Sequence, residues 1–239
     1  ILKDIGKLKE AEIFLRKAIT LKPDFADAYV NLGGILKDIG KLKEAEILLC
    51  KAVELKPDFA EAYSNLGTVF KDIGKLKEAE IFLRKAITLK PNFAEFHYNL
   101  GSVFKEIGKL EEAEKSITKT IELKPNLTRA YFSISTLKYS DQNKIWKDKL
   151  FSENLLNNKS KKEKVDIYFA RANVYHNQKR YKDSSKNLTL ANNLKLEFRK
   201  SEPDIILNKS KALLIECDKK EISQKETSNS PDSIFIVGM

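Results

Sequence analysis

The fold is decided by the stretch KDIGKLKEAEI at residues 37–47, because the same eleven residues recur at 3–13 and 71–81. A fourth version, KEIGKLEEAEK, follows at residues 105–115. A proline closes each copy, so that Pro23, Pro57, Pro91 and Pro125 are also 34 residues apart. A fixed period of this length is typical of a solenoid built from two-helix units. The sequence therefore predicts an all-α chain with a long surface suited to binding.

Residues 26–59 illustrate one unit. Its first helix carries apolar and small residues at helical spacing, namely Tyr29, Leu32, Gly33 and Leu36. Its second helix does the same with Leu42, Ala45, Leu49 and Ala52. The absence of a side chain at Gly33 permits a neighbouring helix to approach closely. Gly40 ends the first helix, as Gly74 and Gly108 do in the later copies. We expect the polar residue before each unit to cap its first helix, as Asp24, Asp58 and Asn92.

These residues resemble the tetratricopeptide repeat signature. The second copy, residues 60–93, matches it at Tyr63, Leu66, Gly67, Phe70, Ala79, Leu83, Ala86 and Pro91. The third, residues 94–127, departs from it at His97 and Thr120, and residues 1–25 supply the end of an earlier copy. The resemblance implies a right-handed superhelical solenoid of tetratricopeptide helix pairs. His97 occupies an aromatic slot, so we interpret it as a packing residue.

The pattern weakens after Pro125, and this defines the predicted domains. Residues 1–138 form the repeat region, with a decaying copy after residue 127. Residues 139–217 hold an irregular, partly helical stretch around Trp146, connecting helices and a degenerate copy over Val165–Phe198, in which Arg171 replaces a leucine. Residues 218–233 are polar and are predicted to be a linker. Residues 234–239, with the sequence IFIVGM, are predicted to form a short C-terminal strand.

Two rows of polar residues are the candidate binding site. Asn31, Asn65 and Asn99 recur just before the Leu-Gly pair of each first helix. Six residues further on are Lys37, Lys71 and Lys105. In tetratricopeptide families this asparagine position faces the concave groove, where an amide binds the backbone of an extended peptide. The lysines would attract carboxylates, so the resemblance implies an extended, preferably acidic peptide. Duplication of an unused residue would give the same rows.

No catalytic or metal-binding motif is present in the sequence. The two histidines, His97 and His176, are far apart, and there is no CxxC, HExxH or glycine-rich phosphate loop. Cys50 and Cys217 form no spacing pattern and fit a reducing, cytoplasmic location. No apolar run approaches the roughly 20 residues of a membrane span. We therefore expect no metal and no membrane partner.

The C-terminal run resembles the first strand of sulfotransferases, including the tyrosylprotein type. In those enzymes the strand leads into a loop that holds 3′-phosphoadenosine 5′-phosphosulfate on backbone amides. Gly238 would lead into that loop, which lies beyond Met239. The resemblance implies that residues 1–239 are the substrate-recruiting arm of a bacterial repeat-containing sulfotransferase. The 239 residues themselves are then expected to have no activity and no cofactor.

Two other functions remain open from the sequence. The first is a free-standing tetratricopeptide adaptor or co-chaperone with no enzyme attached. The second is RNA binding, because residues 128–239 hold 22 Lys/Arg against 14 Asp/Glu within a chain of net charge +10. RNA binding is disfavoured because these lysines are not interleaved with aromatic residues on one predicted face.

Overall fold

A computed structural model describes residues 2–137 and 144–198 of the protein. Within these residues it contains eleven α-helices, one short 3₁₀ helix over Glu153–Leu156 and no strand. The all-α class predicted from the sequence is therefore confirmed. The helices are α1 (Leu2–Leu21), α2 (Ala26–Asp38), α3 (Leu42–Leu55), α4 (Ala60–Ile73), α5 (Leu76–Leu89), α6 (Ala94–Ile107), α7 (Leu110–Leu123), α8 (Thr128–Ser135), α9 (Lys144–Phe151), α10 (Lys161–Asn177) and α11 (Tyr181–Phe198).

The helices pack as consecutive hairpins. In each repeat the first helix packs on the second, as α2 on α3, α4 on α5 and α6 on α7. Each second helix then packs on the next first helix, and first helices also contact one another, α2 with α4 and α4 with α6. The first helices therefore form one continuous row. Each hairpin buries its apolar face only against its neighbours, which is the packing of a solenoid.

The spacing of helix starts is nearly kept beyond the repeats that the sequence makes obvious, although side chains that meet between α8 and α10 are 38 residues apart and not 35 as between α6 and α8. First helices begin at Ala26, Ala60, Ala94 and Thr128, and α10 begins at Lys161, only one residue early. The helix of the degenerate repeat thus starts four residues before the Val165 expected from the sequence. A capping box fixes this start, because the Ser160 side chain accepts from the Glu163 amide while the Glu163 carboxylate accepts from the Ser160 amide.

The predicted caps of the regular first helices are wrong. Phe25, Phe59 and Phe93 occupy the N-cap positions, and none of them makes a side-chain capping bond. Asp24, Asp58 and Asn92 each lie one residue too early to cap. Lysine ammonium groups instead lie over two of these rings, Lys22 over Phe25 at 5.3 Å and Lys56 over Phe59 at 4.6 Å. Of the three phenylalanines, Phe59 packs against the core, whereas Phe25 and Phe93 are exposed.

The predicted glycine positions are confirmed. Gly74 ends α4 with φ of 88°, a left-handed conformation that favours glycine, and Lys75 N donates to Phe70 O at 2.8 Å. Gly33 lies where a Cβ would stand only 2.6 Å from Leu49 Cγ, so α2 and α3 pack without space for a side chain. The adjacent Gly34 is different, because the nearest atom to its Cβ position is Asn65 Nδ2 at 3.9 Å.

This adjacent pair allows the steric cost of the helix contact to be measured. Gly33→Ala should lower the free energy of unfolding by about 1–2 kcal/mol, because Leu49 is fully buried and must move. Gly34→Ala should raise it by about 0.5–1 kcal/mol through helix propensity alone. Both variants gain the same propensity, so the difference in chemical denaturation isolates the steric term. Equal effects would show that Leu49 yields freely.

A recurring hydrogen bond ties three of the first helices, α2, α6 and α8, to the preceding proline. Tyr29 Oη donates to Pro23 O at 3.2 Å, and Tyr131 Oη donates to Pro125 O at 2.9 Å. His97 takes the same place, with Nε2 2.7 Å from Pro91 O. Because a carbonyl only accepts, Nε2 carries the proton. His97 is half-buried and has a structural role through this hydrogen bond. Burial raises the pKa of Tyr131 to about 12.

The array changes its packing at α8. Here α8 packs directly on α10, far more extensively than α4 packs on α6, and the shorter α9 contacts α10 instead. Trp146 of α9 is 1% exposed and Leu150 is fully buried. The region predicted to be irregular is thus partly helical, as expected, and contributes to the core.

The chain divides into two compact units, Ile1–Leu194 and Lys195–Met239. The first contains the helical array up to most of α11. Of the second, the structure describes only residues 195–198, the end of α11. The predicted linker at 218–233 and the predicted strand at 234–239 lie outside the described residues.

Candidate functional site

The asparagine row lies along adjacent first helices. Asn31 in α2 is exposed, whereas Asn65 in α4 and Asn99 in α6 are half-buried. Asn99 Nδ2 donates to Ser64 Oγ at 3.2 Å, so this side chain reaches back to the preceding first helix. Asn65 Nδ2 similarly approaches Gly34 of α2. The structure therefore joins the three positions into one surface, which we call the first-helix face of α2, α4, α6 and α8.

The lysine row lies on the same helices but its charges are not free. Lys37 Nζ is 3.3 Å from Asp38, and Lys71 Nζ is 3.5 Å from Asp72 and 3.6 Å from Glu106. Lys105 Nζ donates to Thr136 Oγ1 at 2.7 Å. A row of acids, each one residue after a lysine, thus accompanies the lysine row. The acidic side chains are more exposed than the lysines with which they pair: the Glu106 side chain is 46% exposed and that of Lys71 is 25% exposed.

Two clefts open on the first-helix face, one on each side of Tyr98. The wider cleft has a volume of about 290 Å³ and is lined by Tyr98, Ser102, Lys105, Glu106, Ile117 and Ser133. The narrower has a volume of about 150 Å³ and is lined by Thr68, Lys71, Leu83, Tyr98, Asn99, Ser102 and Val103. Two predicted residues of the lysine row and one of the asparagine row therefore line these clefts. Asn31, Asn65 and Lys37 line neither.

Tyr98 is held in place by α8. Its hydroxyl lies 3.1 Å from Ser133 Oγ, and the Arg129 guanidinium carbon lies 4.5 Å from the ring centroid. Arg129 also pairs with Glu95 of α6. The cation over the ring face and the hydrogen bond at the hydroxyl together restrict the orientation of the Tyr98 side chain. Tyr98 is thus a fixed partition between the two clefts.

Sequence reasoning missed Tyr98, Ser102 and Ser133. The repeat pattern points to residues that recur between copies, whereas these three differ from the residues at the same positions of the other copies. The position of Tyr98 is Val30 and Ser64 in the two preceding copies. Departures from the repeat on the asparagine side of the first helix were the signal that could have identified them.

The first-helix face ends where α8 meets α10. The rings of Phe132 and Phe169 lie 5.9 Å apart, and Asn173 Nδ2 donates to Ser135 Oγ at 3.0 Å. At the other end of the contact Thr128 Oγ1 donates to Asp166 Oδ2 at 3.1 Å. Burial raises the pKa of Asp166, an effect that this hydrogen bond partly offsets. These contacts fill the space between α8 and α10.

Arg171, which replaces a repeat leucine, secures α9. Its Nε and Nη2 donate to Leu150 O at 3.1 and 2.9 Å, and Nη2 lies 3.4 Å from Ser152 O. Its guanidinium carbon is 5.6 Å from the centroid of Phe151. Burial lowers the pKa of Arg171 from its ordinary value. Carbonyls at the end of a helix lack intrahelical partners, and this side chain supplies donors to them.

No metal-binding cluster and no membrane-spanning helix are found among the described residues. Within residues 2–137 and 144–198, no group of three or more histidine, cysteine or acidic side chains could hold a metal ion. His97 serves the proline contact, and the His176 ring lies 5.6 Å from that of Tyr181. No helix among the same residues is both long enough and apolar enough to cross a bilayer. Ile234–Met239, with Gly238, lie outside them.

Known protein families match the repeat region. One tetratricopeptide repeat model matches residues 1–25, 26–59 and 94–127, and a second model of the repeat matches residues 67–108. Together the matches cover half of the chain. No curated protein matches the sequence significantly.

Solved structures of the same fold are numerous. PilF of Pseudomonas aeruginosa superposes with a TM-score of 0.58 at 21% identity, covering 76% of this chain and 82% of PilF. YrrB, described as a repeat protein with an unusual peptide-binding site, gives a TM-score of 0.52 at 20% identity over 75% of this chain and 91% of its own. MamA superposes with a TM-score of 0.50 at 24% identity, covering 83% of this chain and 94% of the MamA chain. At these identities the similarity concerns the fold.

The hairpins, their 34-residue spacing and the family matches lead to one conclusion. The chain belongs to the tetratricopeptide repeat family. The resemblance seen in the sequence is confirmed for the repeats. The matching models describe repeats alone, so the sulfotransferase resemblance gains no support from them.

Proposed function

We propose that this protein is a tetratricopeptide adaptor that binds an extended segment of a partner protein along its first-helix face. The observation that carries the proposal is the continuous polar surface of α2, α4, α6 and α8, opened by two clefts beside Tyr98. Amide and hydroxyl groups on this surface both donate and accept hydrogen bonds. They suit the backbone of a peptide that has no internal hydrogen-bond partners of its own.

The packing of the array supports this function. Because the first helices contact one another directly, the face is preorganised, and a bound segment would not have to order it. The fold is also compatible with peptide binding, since YrrB, which shares it, is described as having a peptide-binding site. The acidic preference expected from the lysine row is not supported by the geometry, because neighbouring carboxylates already pair with Lys37 and Lys71.

Removing the asparagine row is the direct test. The triple variant N31A/N65A/N99A should weaken binding of decapeptides selected from a random library by at least tenfold. Its stability should change by no more than about 0.5 kcal/mol at Asn31 and Asn65, and by about 1 kcal/mol at Asn99, whose amide donates to the buried Ser64 hydroxyl. Fluorescence anisotropy of labelled peptides measures the first effect, and thermal unfolding followed by circular dichroism measures the second.

A matched control, K9A/K43A/K77A, replaces three exposed lysines that occupy equivalent positions in α1, α3 and α5. This variant should bind the selected peptides as the unmodified protein does. Equal binding by the asparagine variant would mean that the row is only a product of duplication. Equal loss in both variants would place the binding surface elsewhere.

The sulfotransferase arm remains a prediction from the sequence alone. It rests on residues 234–239 and on their position after the degenerate repeat, and it proposes the same protein-binding face for recruiting an acceptor substrate. The cofactor 3′-phosphoadenosine 5′-phosphosulfate would belong to the catalytic domain. The adaptor function is preferred because it needs only the repeats that the structure describes.

The two functions differ in one measurement. Calorimetry with 3′-phosphoadenosine 5′-phosphosulfate should give no heat of binding for residues 1–239. If the gene encodes further residues, the longest protein should bind the nucleotide under the sulfotransferase function. A gene that continues without a Pro-Arg-Ser-Gly-like loop after Gly238, or a longest protein that gives no heat, removes that function and leaves the adaptor.

A further inference from the structure

The two clefts of the first-helix face are sized for individual side chains. Their volumes of about 290 and 150 Å³ are at or below the lower end of the roughly 300–1,000 Å³ of cavities that enclose a drug-sized ligand. The wider is about twice the volume of the narrower. This inequality means that a ligand filling both must present one large and one small group.

The spacing of the clefts fits an extended peptide. Tyr98 and Ser102 line both clefts, so the two openings are separated by little more than one aromatic ring. Alternate side chains of an extended chain project to the same side, and they are about 6.6 Å apart at a rise of 3.3 Å per residue. Residues i and i+2 of a strand would therefore enter the two clefts on either side of Tyr98.

The charges around the clefts cancel. Lys71 at the narrower cleft lies near Asp72 and Glu106, and Lys105 at the wider cleft is followed by Glu106 in the same lining. A charged side chain entering either cleft would lose hydration and meet both signs of charge, so it would gain little. Charge complementarity thus favours uncharged occupants, in contrast to the acidic peptide that the lysine row alone predicts.

The linings differ in chemistry as well as size. The wider cleft combines the Tyr98 ring with Ile117 on its floor, a surface for an aromatic side chain in offset contact. The narrower combines Leu83 and Val103 with the Thr68 hydroxyl and the Asn99 amide. It suits a small side chain such as alanine, valine or threonine.

We propose that the partner segment is an uncharged extended peptide with an aromatic and a small residue two positions apart, seated on either side of Tyr98. This inference rests on the proposed function, since it names the ligand of the same face. Arg129 and Ser133 act as positioning residues, because they hold the tyrosine that separates the two clefts.

A positional-scanning library tests the inference from the side of the ligand. The probes are labelled octapeptides with acetylated and amidated ends, carrying Phe and Ala two positions apart in both orders. Exchange of Phe for Ala, of Ala for Trp, or of either for Glu or Lys should weaken binding at least tenfold. Glutamate elsewhere in the peptide should give no gain.

A protein variant tests it from the other side. Ser133→Leu places a larger side chain in the wider cleft and should weaken binding of the Phe peptide at least tenfold, while the weakly bound Ala–Ala peptide, which leaves that cleft unfilled, should be weakened less than threefold. Ser185→Leu, at an exposed position on α11, is the matched control and should bind both peptides unchanged. If Ser133→Leu fails to fold by circular dichroism, the peptide series alone decides.

The outcomes separate this inference from the proposed function. Peptides that bind, and that are weakened by loss of the asparagine row, but show no preference for aromatic and small residues would overturn only the inference. A preference for acidic residues at either position would do the same. Failure of every library peptide to bind with a dissociation constant below about 1 mM would overturn both.

Discussion

Trp146→Ala is expected to lower the free energy of unfolding of the array by about 3–5 kcal/mol, the largest effect of any single change considered for this protein. The indole is 1% exposed and is the largest fully buried side chain of the described residues. Its removal leaves a cavity beneath α9, a helix of only eight residues with few other buried groups. Urea denaturation followed by circular dichroism measures the loss.

Two further variants identify the origin of this loss. Trp146→Phe should cost less than about 2 kcal/mol, since Trp146 Nε1 has no hydrogen-bond partner within the described residues and phenylalanine removes that unpaired group. Ile145→Ala, one residue away but 58% exposed, should cost at most about 0.5 kcal/mol. Similar losses at Trp146 and Ile145 would mean that α9 does not pack as described.

The second large effect is expected from restoring the repeat consensus. Arg171→Leu introduces the residue that the regular repeats carry at this slot, yet it should destabilise the protein by about 1.5–3 kcal/mol. The Leu150 carbonyl would lose both guanidinium donors. The new leucine would also have the short α9 beside it, and not the regular second helix on which a repeat leucine packs. The measurement is the midpoint of denaturation together with the protection of α9 amides in hydrogen exchange.

Arg180→Leu is the matched control, because within residues 2–137 and 144–198 this exposed arginine contacts Asp183 and Tyr175 at the surface. It should cost no more than about 1 kcal/mol. Arg171→Lys should give an intermediate loss, since an ammonium group cannot reproduce the paired N–H donors of a guanidinium. A stabilising Arg171→Leu would show that the slot is an ordinary repeat core position.

The regular repeats could be predicted from the sequence because their structure is locally encoded. Residues such as Gly33, Ala45 and Gly74 act within one hairpin or between adjacent hairpins, so a recurring pattern is sufficient to place them. The junction at α8 could not be predicted in the same way. Its stability depends on contacts of Trp146 and Arg171 with residues that no repeat pattern brings together.

The candidate site shows the same division. Position in the repeat was enough to place the asparagine and lysine rows on one face. It could not reveal that Lys37 and Lys71 would pair with Asp38 and Glu106. A side-chain ion pair depends on which rotamers the neighbouring helix permits. The partition made by Tyr98 depends on Arg129 and Ser133 of the following repeat.

The residue pattern shared by successive units has a consequence for how the gene can change. Since α3 meets α4 through the same kinds of residue with which α5 meets α6, the boundary after residue 59 is interchangeable with the boundary after residue 93. Recombination between the KDIGKLKEAEI segments would delete or add exactly one hairpin and still leave every junction complementary. The length of the array, and with it the reach of its binding face, is therefore free to vary by whole hairpins while the specialised α8–α11 end is retained.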